Sequence, residues 1–321
     1  MISLTSDCVN DLYARACALV LRDGRRAAPR GMATTEVMNV HLCLSDPRRR
    51  LVDLPPVRVL NPAFAVAEAL WILSGSDEPW IFQYNRALRR YADDGRLQGA
   101  YGPRMRAWAG HVDQLAHVRH LLRTDPQSRQ GVIQLFDAAR DTCGYRDVPC
   151  TLGYRFYIRD GALQMHTTMR SNDVWLGLPY DVFTATLLQE LLAGWLDVPM
   201  GAYHHHVDSL HLYHHHEQPA AQITSATVAS VAMDPITVAW QDLDPVLATV
   251  IAGTPPDNVG AVWSMLARVM ASYRSWTAGQ RDTAQAIVAG TDGVLARALQ
   301  RWYQHLPDRA TTTALATTGE R

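Results

Sequence analysis

The sequence of 321 residues contains no lysine, so all 30 of its basic side chains are arginine. With 31 acidic residues the formal net charge is −1, which excludes the general positive field that attracts long nucleic acids. Nucleic acid is therefore not an expected partner, and the lysine-free composition is typical of a GC-rich coding sequence. Any phosphate group must be bound by a few individual arginines, whose planar guanidinium groups suit bidentate contacts.

The sequence also lacks paired cysteines. No Cys-x-x-Cys motif occurs, which argues against a disulfide framework and a structural zinc site. The five cysteines are Cys8, Cys17, Cys43, Cys143 and Cys150. No basic segment followed by an apolar stretch stands at the N-terminus, and no run of about 18 uncharged apolar residues follows. We therefore expect a soluble protein of the reducing cytoplasm that has no membrane contact.

Hydrophobic residues make up 48% of the sequence and recur at helical and at strand spacing, without regular alternation of the two. This predicts an α+β fold in which a mixed β-sheet packs against helices. Helices are predicted at 8–22, 182–196, 262–276 and 293–306, and strands at 152–158, 162–168 and 203–216. Loops are predicted at 22–31 and 170–181. We expect a single domain over residues 1–309, helical from about residue 217, and a disordered tail at 310–321.

One predicted helix contains a carboxyl group in an apolar setting. Asn61 as N-cap and Pro62 at the first helical position predict the helix start, and the helix should run through Leu73 to a stop at Gly75. Glu68 lies among apolar residues within it. Such a group is either a satisfied structural hydrogen-bond partner or a general acid or base with a raised pKa. The residues alone leave both interpretations open.

Cys150 follows Val148-Pro149 at the entrance of a predicted strand. A lone cysteine is more often a small buried residue than a nucleophile, and a nucleophilic thiol needs a lowered pKa. A turn at 159–161 joins the two predicted strands as a hairpin, which allows Arg170 to approach Cys150. A positive group at this place would lower the pKa of the thiol.

Two further features allow competing interpretations. Asp181 precedes a predicted helix and, taken alone, would be its N-cap. Seven histidines near the last predicted strand suggest a zinc site: His204, His205, His206, His211, His214, His215 and His216. No cysteine or acidic ligand accompanies them at metal spacing, so no metal is predicted.

Together these segments resemble the thymidylate synthase superfamily over roughly residues 25–216. The Pro-Cys nucleophile motif of that family is similar to Pro149-Cys150, and its R-S-x-D-x-x-L-G-x-P-[FY]-N motif is similar to residues 170–181 without a gap. Its E-x-L-W-x-L, D-P-x-S-R-R and H-x-Y motifs resemble residues 68–73, 125–130 and 211–213, with Gln130 departing from the last arginine. The C-terminal third does not match. The resemblance implies a thymidylate synthase-like catalytic domain and an obligate homodimer formed through the sheet.

The resemblance also implies a chemistry. The Cys150 thiolate would add to C6 of a pyrimidine nucleotide, which makes C5 a nucleophile toward 5,10-methylene-tetrahydrofolate, and Glu68 and Tyr101 would organise proton transfer. The residues implied to bind the phosphate and sugar are Arg30, Arg170, Ser171, His211, Tyr213 and, from the other subunit, Arg129. Those implied to contact the folate are Asp173, Leu176 and Gly177.

Asp181 stands where thymidylate synthases have the asparagine that reads uracil. A carboxyl group accepts a hydrogen bond from the N4 amine of cytosine, and a proton shared between the carboxyl group and N3 completes a second hydrogen bond. With uracil, the carboxyl oxygen would instead face O4, which is also an acceptor. Sites that depend on such pairing can discriminate by roughly 10⁴-fold. The residue therefore predicts a cytidine nucleotide, CMP or dCMP, and a resemblance to the cytidylate hydroxymethylases.

The predicted product follows from a second departure. Thymidylate synthases use a tryptophan and a C-terminal tail to exclude water while hydride reduces the C5 methylene, and Leu88 falls near the tryptophan position here. Addition of water to the C5 methylene group would give 5-hydroxymethyl cytidylate. Such a product would serve nucleoside antibiotic biosynthesis or the synthesis of modified phage-type DNA. The alternatives are a divergent thymidylate synthase, a deoxyuridylate hydroxymethylase, or a catalytically silent nucleotide- or RNA-binding homologue.

Overall fold

The computed structural model describes residues 1–223 and 230–306. In these residues seven strands form one mixed sheet, with the order β1-β3-β7-β6-β5-β4 and with β2 paired to β3. The strands are β1 Ile2–Ser6, β2 Arg25–Ala27, β3 Thr34–Leu44, β4 Val132–Gln134, β5 Thr151–Arg159, β6 Ala162–Asp173 and β7 Met200–Tyr213. The predicted α+β class with a mixed sheet is confirmed. The tail predicted at 310–321 lies outside the described residues.

The described helices precede, interrupt and follow the sheet in the chain. They are α1 Val9–Asp23, α2 Pro62–Leu73, α3 Tyr101–Arg106, α4 Gln114–Thr124, α5 Ala138–Asp141, α6 Leu178–Leu196, α7 Glu217–Gln222, α8 Leu243–Ile251, α9 Ala261–Thr277, α10 Arg281–Val288 and α11 Val294–His305. Short 3₁₀ turns lie at Pro29–Gly31, Pro79–Gln83, Arg86–Tyr91, His214–His216 and Trp240–Asp242. The five predicted helices are confirmed, although α6 begins earlier than predicted. None of the described helices has both the length and the apolar character needed to cross a membrane.

The hairpin of β5 and β6 is confirmed, with Asp160 and Gly161 in the left-handed region at φ 53° and 74°. The polar loop predicted from Arg170 is wrong at its start, because β6 continues to Asp173. Its last residues pair with the parallel strand β7, in the register Ser171 to Ser209. This long partner strand supplies the backbone hydrogen bonds that a local pattern does not reveal.

Helix α2 begins as predicted. The side chain of Asn61 accepts hydrogen bonds from the backbone N–H groups of Ala63 and Phe64 at 3.1 and 3.2 Å, and Pro62 occupies the first turn. Helix α6 begins one turn earlier than predicted, at Leu178, so the interpretation of Asp181 as its N-cap is wrong. The side chain of Asp181 is thereby free to face away from the helix start.

Helices α1 and α6 pack on one face of the sheet, α2 packs on α6, and α8, α9 and α11 pack on α2. Helix α6 is apolar all round because it is covered by the sheet on one side and by α2 on the other.

Two further boundaries differ from prediction, one of a loop and one of a strand. The loop at 22–31 contains β2, and the strand predicted to reach His216 ends at Tyr213.

The histidines of β7 point to both faces of the sheet, as alternation along a strand requires. His205 faces the helices and is fully buried. His204 and His206 face the other side, where they stack with His41 and His166 at ring-centroid distances of 4.3 to 5.6 Å. Within residues 1–223 and 230–306, no group of three or more His, Cys, Asp or Glu side chains is arranged to hold a metal ion.

Candidate active site

A cavity of about 190 Å³ is lined by residues from α2, α3, α6, β5 and β6. We call it the nucleophile cavity. Its wall contains the four residues predicted to be catalytic: Glu68, Tyr101, Cys150 and Asp181. They come from four separate segments of the chain, and packing of α2 and α6 over the hairpin brings them together.

Cys150 lies half-buried in this cavity, immediately before β5. Its backbone carbonyl accepts a hydrogen bond from the N–H of Arg170 at 2.9 Å, so the two residues are neighbours as predicted. The Arg170 guanidinium donates to the carbonyl oxygens of Val148 and Pro149, both at 2.9 Å. The Ser171 hydroxyl donates to Cys150 Sγ at 3.8 Å. Arg170 therefore holds the segment that carries the thiol.

Burial raises the pKa of the Cys150 thiol, and the positive charge of Arg170 and the hydroxyl of Ser171 offset only part of this increase. The lowered pKa expected from the sequence is therefore wrong for the protein alone. A thiolate in this cavity would lose its hydration. The guanidinium of Arg170 does not replace that hydration, because it already donates hydrogen bonds to two carbonyl oxygens.

Two carboxyl groups from different helices line the same cavity. Burial raises the pKa of Glu68 to about 8, with a further increase from the charge of Asp181. Burial also raises the pKa of Asp181 to about 7, and a hydrogen bond from Asn172 offsets part of that increase. Of the two interpretations of Glu68, the raised pKa fits the structure. Both groups titrate near neutral pH, which suits proton transfer.

Replacing Glu68 with glutamine is expected to stabilise the protein at pH 8.5 and to change its stability little at pH 5. Between the ordinary pKa of 4.5 and the folded pKa of about 8, the unfolded chain loses the proton while the folded chain keeps it. Stability therefore falls as pH rises through this range, and an uncharged glutamine removes the loss. Melting temperatures at both pH values would measure it.

Glu78→Gln is a suitable control for this prediction, because Glu78 is exposed and, within the described residues, its carboxylate forms a surface ion pair with Arg96. Its melting temperature should follow that of the wild type at both pH values. An equal change for Glu68→Gln at pH 5 and pH 8.5 would contradict the raised pKa.

Tyr101 begins α3, and its hydroxyl accepts a hydrogen bond from the N–H of Thr151 at 3.2 Å. The position of α3 is fixed by Arg104, which donates two hydrogen bonds of 2.7 and 2.6 Å to the buried carboxylate of Asp141. The Tyr101 hydroxyl is thereby held beside the residue that follows Cys150. Leu88 lies in the wall of the same cavity.

A second cavity of about 460 Å³ adjoins the first, and we call it the arginine cavity. Because β6 and β7 run parallel, their last residues meet at one edge of the sheet and form part of its wall. The predicted binding residues in the wall are Arg30, Arg170, Ser171, His211 and Tyr213. Arg30 has a left-handed backbone at φ 55° in the turn after β2. Ser171 links the cavities, because it also contacts Cys150.

The remaining predicted residues lie elsewhere. Arg129 is exposed and lines neither cavity of its own chain. Asp173 ends β6, and its Oδ1 accepts hydrogen bonds from the N–H groups of Trp175 and Leu176 at 2.8 and 3.0 Å. Its Oδ2 is buried without a hydrogen-bond partner in the described residues. Gly177 follows this turn, and a Cβ there would lie 2.9 Å from Asn172 Nδ2.

Sequence reasoning missed several residues of both cavities. Arg146 and Tyr145 line the arginine cavity, and Thr167 and Tyr154 line the nucleophile cavity. Proximity to the Pro-Cys motif could have indicated Arg146. The two residues of the nucleophile cavity belong to strand patterns in which they are indistinguishable from core residues, so only the packing of α2 and α6 reveals them.

The sequence profile of the family described as Thymidylate synthase matches residues 11–238, and the chain belongs to this family. A curated relative from Bacillus phage SP01, named deoxyuridylate hydroxymethyltransferase, is 36% identical over 220 residues. The matched part covers 63% of this chain and 56% of the relative. The chain therefore spans little more than half the length of that relative.

Proposed function

We propose that this protein transfers a one-carbon unit to C5 of a cytidine monophosphate and forms the 5-hydroxymethyl product. The observation that carries the proposal is the position of Asp181 in the wall of the cavity that holds Cys150. A nucleophile and a group suited to reading a pyrimidine edge thus line one cavity. Cys150 Sγ forms a bond to C6, the C5=C6 double bond opens so that C5 becomes nucleophilic, and the thiol proton passes to the carboxylate of Glu68 in the same cavity.

The nucleotide would span the two cavities. The base enters the nucleophile cavity, and the phosphate is bound by guanidinium groups of the arginine cavity, which suit bidentate contacts with phosphate oxygens. Arg30 and Arg146 line that cavity, and Arg170 lies on the side nearest Cys150. His211 and Tyr213 would bind the sugar. This arrangement supports a mononucleotide substrate.

The residues at the end of β6 fit a folate. The buried Oδ2 of Asp173 has no partner in the described part of the chain, so it can accept a hydrogen bond from an N–H group of a pterin. Leu176, with 41% of its surface exposed, offers an apolar contact beside it. When bound, 5,10-methylene-tetrahydrofolate supplies the one-carbon unit. Asp173, Leu176 and Gly177 would hold and orient it.

The hydroxymethyl product is proposed because of Leu88. This side chain lines the nucleophile cavity at the place where the family resemblance expects a tryptophan. A smaller side chain shields the C5 methylene group less, so water can add to it before hydride does. In that case the folate would give up no hydride, and its product would be tetrahydrofolate rather than dihydrofolate.

Incubation with methylene-tetrahydrofolate and each of CMP, dCMP, UMP and dUMP tests the proposal. We expect a cytidine nucleotide to gain the mass of a hydroxymethyl group, without the absorbance increase that dihydrofolate formation causes. Turnover of dUMP alone, accompanied by that increase, would contradict both the substrate and the product.

A second candidate is 5-hydroxymethylation of deoxyuridylate. It is favoured by the name of the phage relative, which is 36% identical over the matched part. It differs from the first proposal only in the base, so the same four nucleotides separate the two. Hydroxymethylation of dUMP with no reaction of either cytidine nucleotide would support it.

We also propose a homodimer in which Arg129 reaches the arginine cavity of the other subunit. The supporting observation is that Arg129 is exposed and lines neither cavity of its own chain. Mixing Arg129→Ala with Cys150→Ser protein, both nearly inactive alone, should restore activity, because one site of the mixed dimer then has both residues intact. Absence of recovery, with subunit exchange shown by differently tagged chains, would contradict it.

We propose the reducing cytoplasm as the compartment, which is supported by the free thiols of Cys17, Cys43, Cys143 and Cys150. The pathway depends on the sugar of the substrate. Preference for CMP would fit nucleoside antibiotic biosynthesis, whereas preference for dCMP would fit modified DNA precursors.

A further inference from the structure

A chain of polar side chains leads from Asp181 into the core behind the nucleophile cavity. Asn172 Nδ2 donates to Asp181 Oδ2 at 2.7 Å, and His205 Nε2 lies 3.0 Å from Asn172 Oδ1. The Tyr203 hydroxyl lies 2.8 Å from His205 Nδ1 and 2.9 Å from Thr167 Oγ1. Four of these side chains, Thr167, Asn172, Tyr203 and His205, come from β6 and β7, whose parallel pairing aligns them.

These hydrogen-bonded side chains are buried, so each of their polar groups must find its hydrogen-bond partner among the others. Asn172 is 3% exposed, Thr167 and Tyr203 are each 1% exposed, and His205 is fully buried. Burial and the neighbouring His206 lower the pKa of His205 to about 3, so its ring is neutral. A neutral ring donates through one nitrogen and accepts through the other. Donation from Nε2 to Asn172 therefore leaves Nδ1 as the acceptor nitrogen of the ring, 2.8 Å from the Tyr203 hydroxyl.

This arrangement fixes the orientation of Asn172. Its carbonyl oxygen is occupied by His205, so its NH₂ group must face Asp181. Asp181 Oδ2, which accepts this hydrogen bond, carries no proton, and any proton of the carboxyl group resides on Oδ1. The carboxyl group then presents an acceptor and a donor side by side, which matches the N4 amine and N3 of cytosine.

We infer that Asn172, held in place by His205, is a positioning residue that sets the base specificity of Asp181. The inference rests on the proposed function, because it concerns how that function selects cytosine. Asn172 need not touch the substrate. It orients the carboxyl group that does, and His205 orients Asn172.

The pH dependence of cytidine turnover gives the inference a second readout. Two bonds to cytosine need one proton shared between Asp181 and N3, so kcat/KM for a cytidine nucleotide should fall as pH rises through the pKa of Asp181. The hydrogen bond from Asn172 lowers that pKa, so its loss should move the fall to higher pH. The other titratable groups that interact with Asp181 are Glu68, Tyr101, Cys150, Tyr154, Asp173 and Tyr203.

The test compares kcat/KM for CMP and UMP, or for dCMP and dUMP if the deoxynucleotides react, in the wild type and three variants. Asn172→Ala should lower the cytidine value by about 10- to 100-fold and the uridine value much less. His205→Leu, which removes the donor, should act in the same direction. His205→Gln, whose amide can still donate to Asn172, should retain most of the discrimination. In Asn172→Ala the alkaline fall for the cytidine nucleotide should move to higher pH.

The wild type reports on the proposed function, and the variants report on the inference. If the wild type prefers the uridine nucleotide, the proposed function fails and the inference fails with it. If the wild type prefers cytidine but Asn172→Ala changes neither the ratio nor the pH profile, only the inference is overturned. Should Asn172→Ala fail to fold, the His205→Leu and His205→Gln pair decides: equal discrimination in both would overturn the inference.

Discussion

Replacement of Cys150 with serine is expected to lower turnover by at least about 10³-fold, because a serine hydroxyl is far less nucleophilic than a thiolate. Nucleotide binding should persist. The side chains of the arginine cavity come from other positions, and Arg170 contacts the backbone of residues 148 to 150 rather than the thiol. Steady-state rates and calorimetric affinities for the nucleotide would measure the two effects separately.

Cys143→Ser is the matched control, since Cys143 is an exposed free thiol outside both cavities. It should retain the turnover of the wild type. Near-normal turnover of Cys150→Ser would rule out covalent addition to C6. Loss of both turnover and nucleotide binding in that variant would indicate a structural role for the thiol instead.

Replacement of Asp181 with asparagine is expected to shift the preference from cytosine toward uracil by roughly 10²- to 10⁴-fold in the ratio of kcat/KM values. The amide offers an acceptor to N3–H of uracil and a donor to O4, and it cannot supply the proton that cytosine N3 requires. The Asn172 amide must turn round to accommodate it.

The matched control for base reading is Thr184→Val, because Thr184 lies in the wall of the same cavity on the same helix as Asp181. This change preserves shape and should alter the ratio of the two kcat/KM values little. An Asp181→Asn protein that retains the full cytosine preference would show that the base is read by another residue.

The part of the site that could be predicted from the sequence is the part encoded in continuous motifs. Cys150, Glu68, Asp181 and the ends of β6 and β7 lie in short segments with strong local patterns, so their convergence could be anticipated. Their electrostatics could not. Elements distant in sequence bury Cys150, and this burial raises the pKa of its thiol. The increase outweighs the lowering of that pKa by the positive charge of Arg170, which was the effect expected from the sequence.

The hydrogen-bonded side chains behind Asp181 could not be predicted from the sequence either. From the sequence, His205 is one of seven histidines that suggest a metal site only weakly. In the structure it lies on the face of β7 that packs against the helices, and it contacts Asn172. The pairing of the strands and the position of α6 decide which side of a strand faces the helices. A run of histidines in the sequence predicts neither of them. The boundaries of β6 were missed for the same reason, since its last residues depend on pairing with β7.

We propose that Cys150 and Asp181 act together on a cytosine ring. An equimolar mixture of a cytidine and a uridine monophosphate with the same sugar, incubated with the wild-type protein and methylene-tetrahydrofolate, tests it most directly when the products are weighed by mass spectrometry. We predict that the hydroxymethylated cytidine nucleotide will predominate by at least about 10²-fold. Predominance of a modified uridine nucleotide would show that Asp181 does not select cytosine.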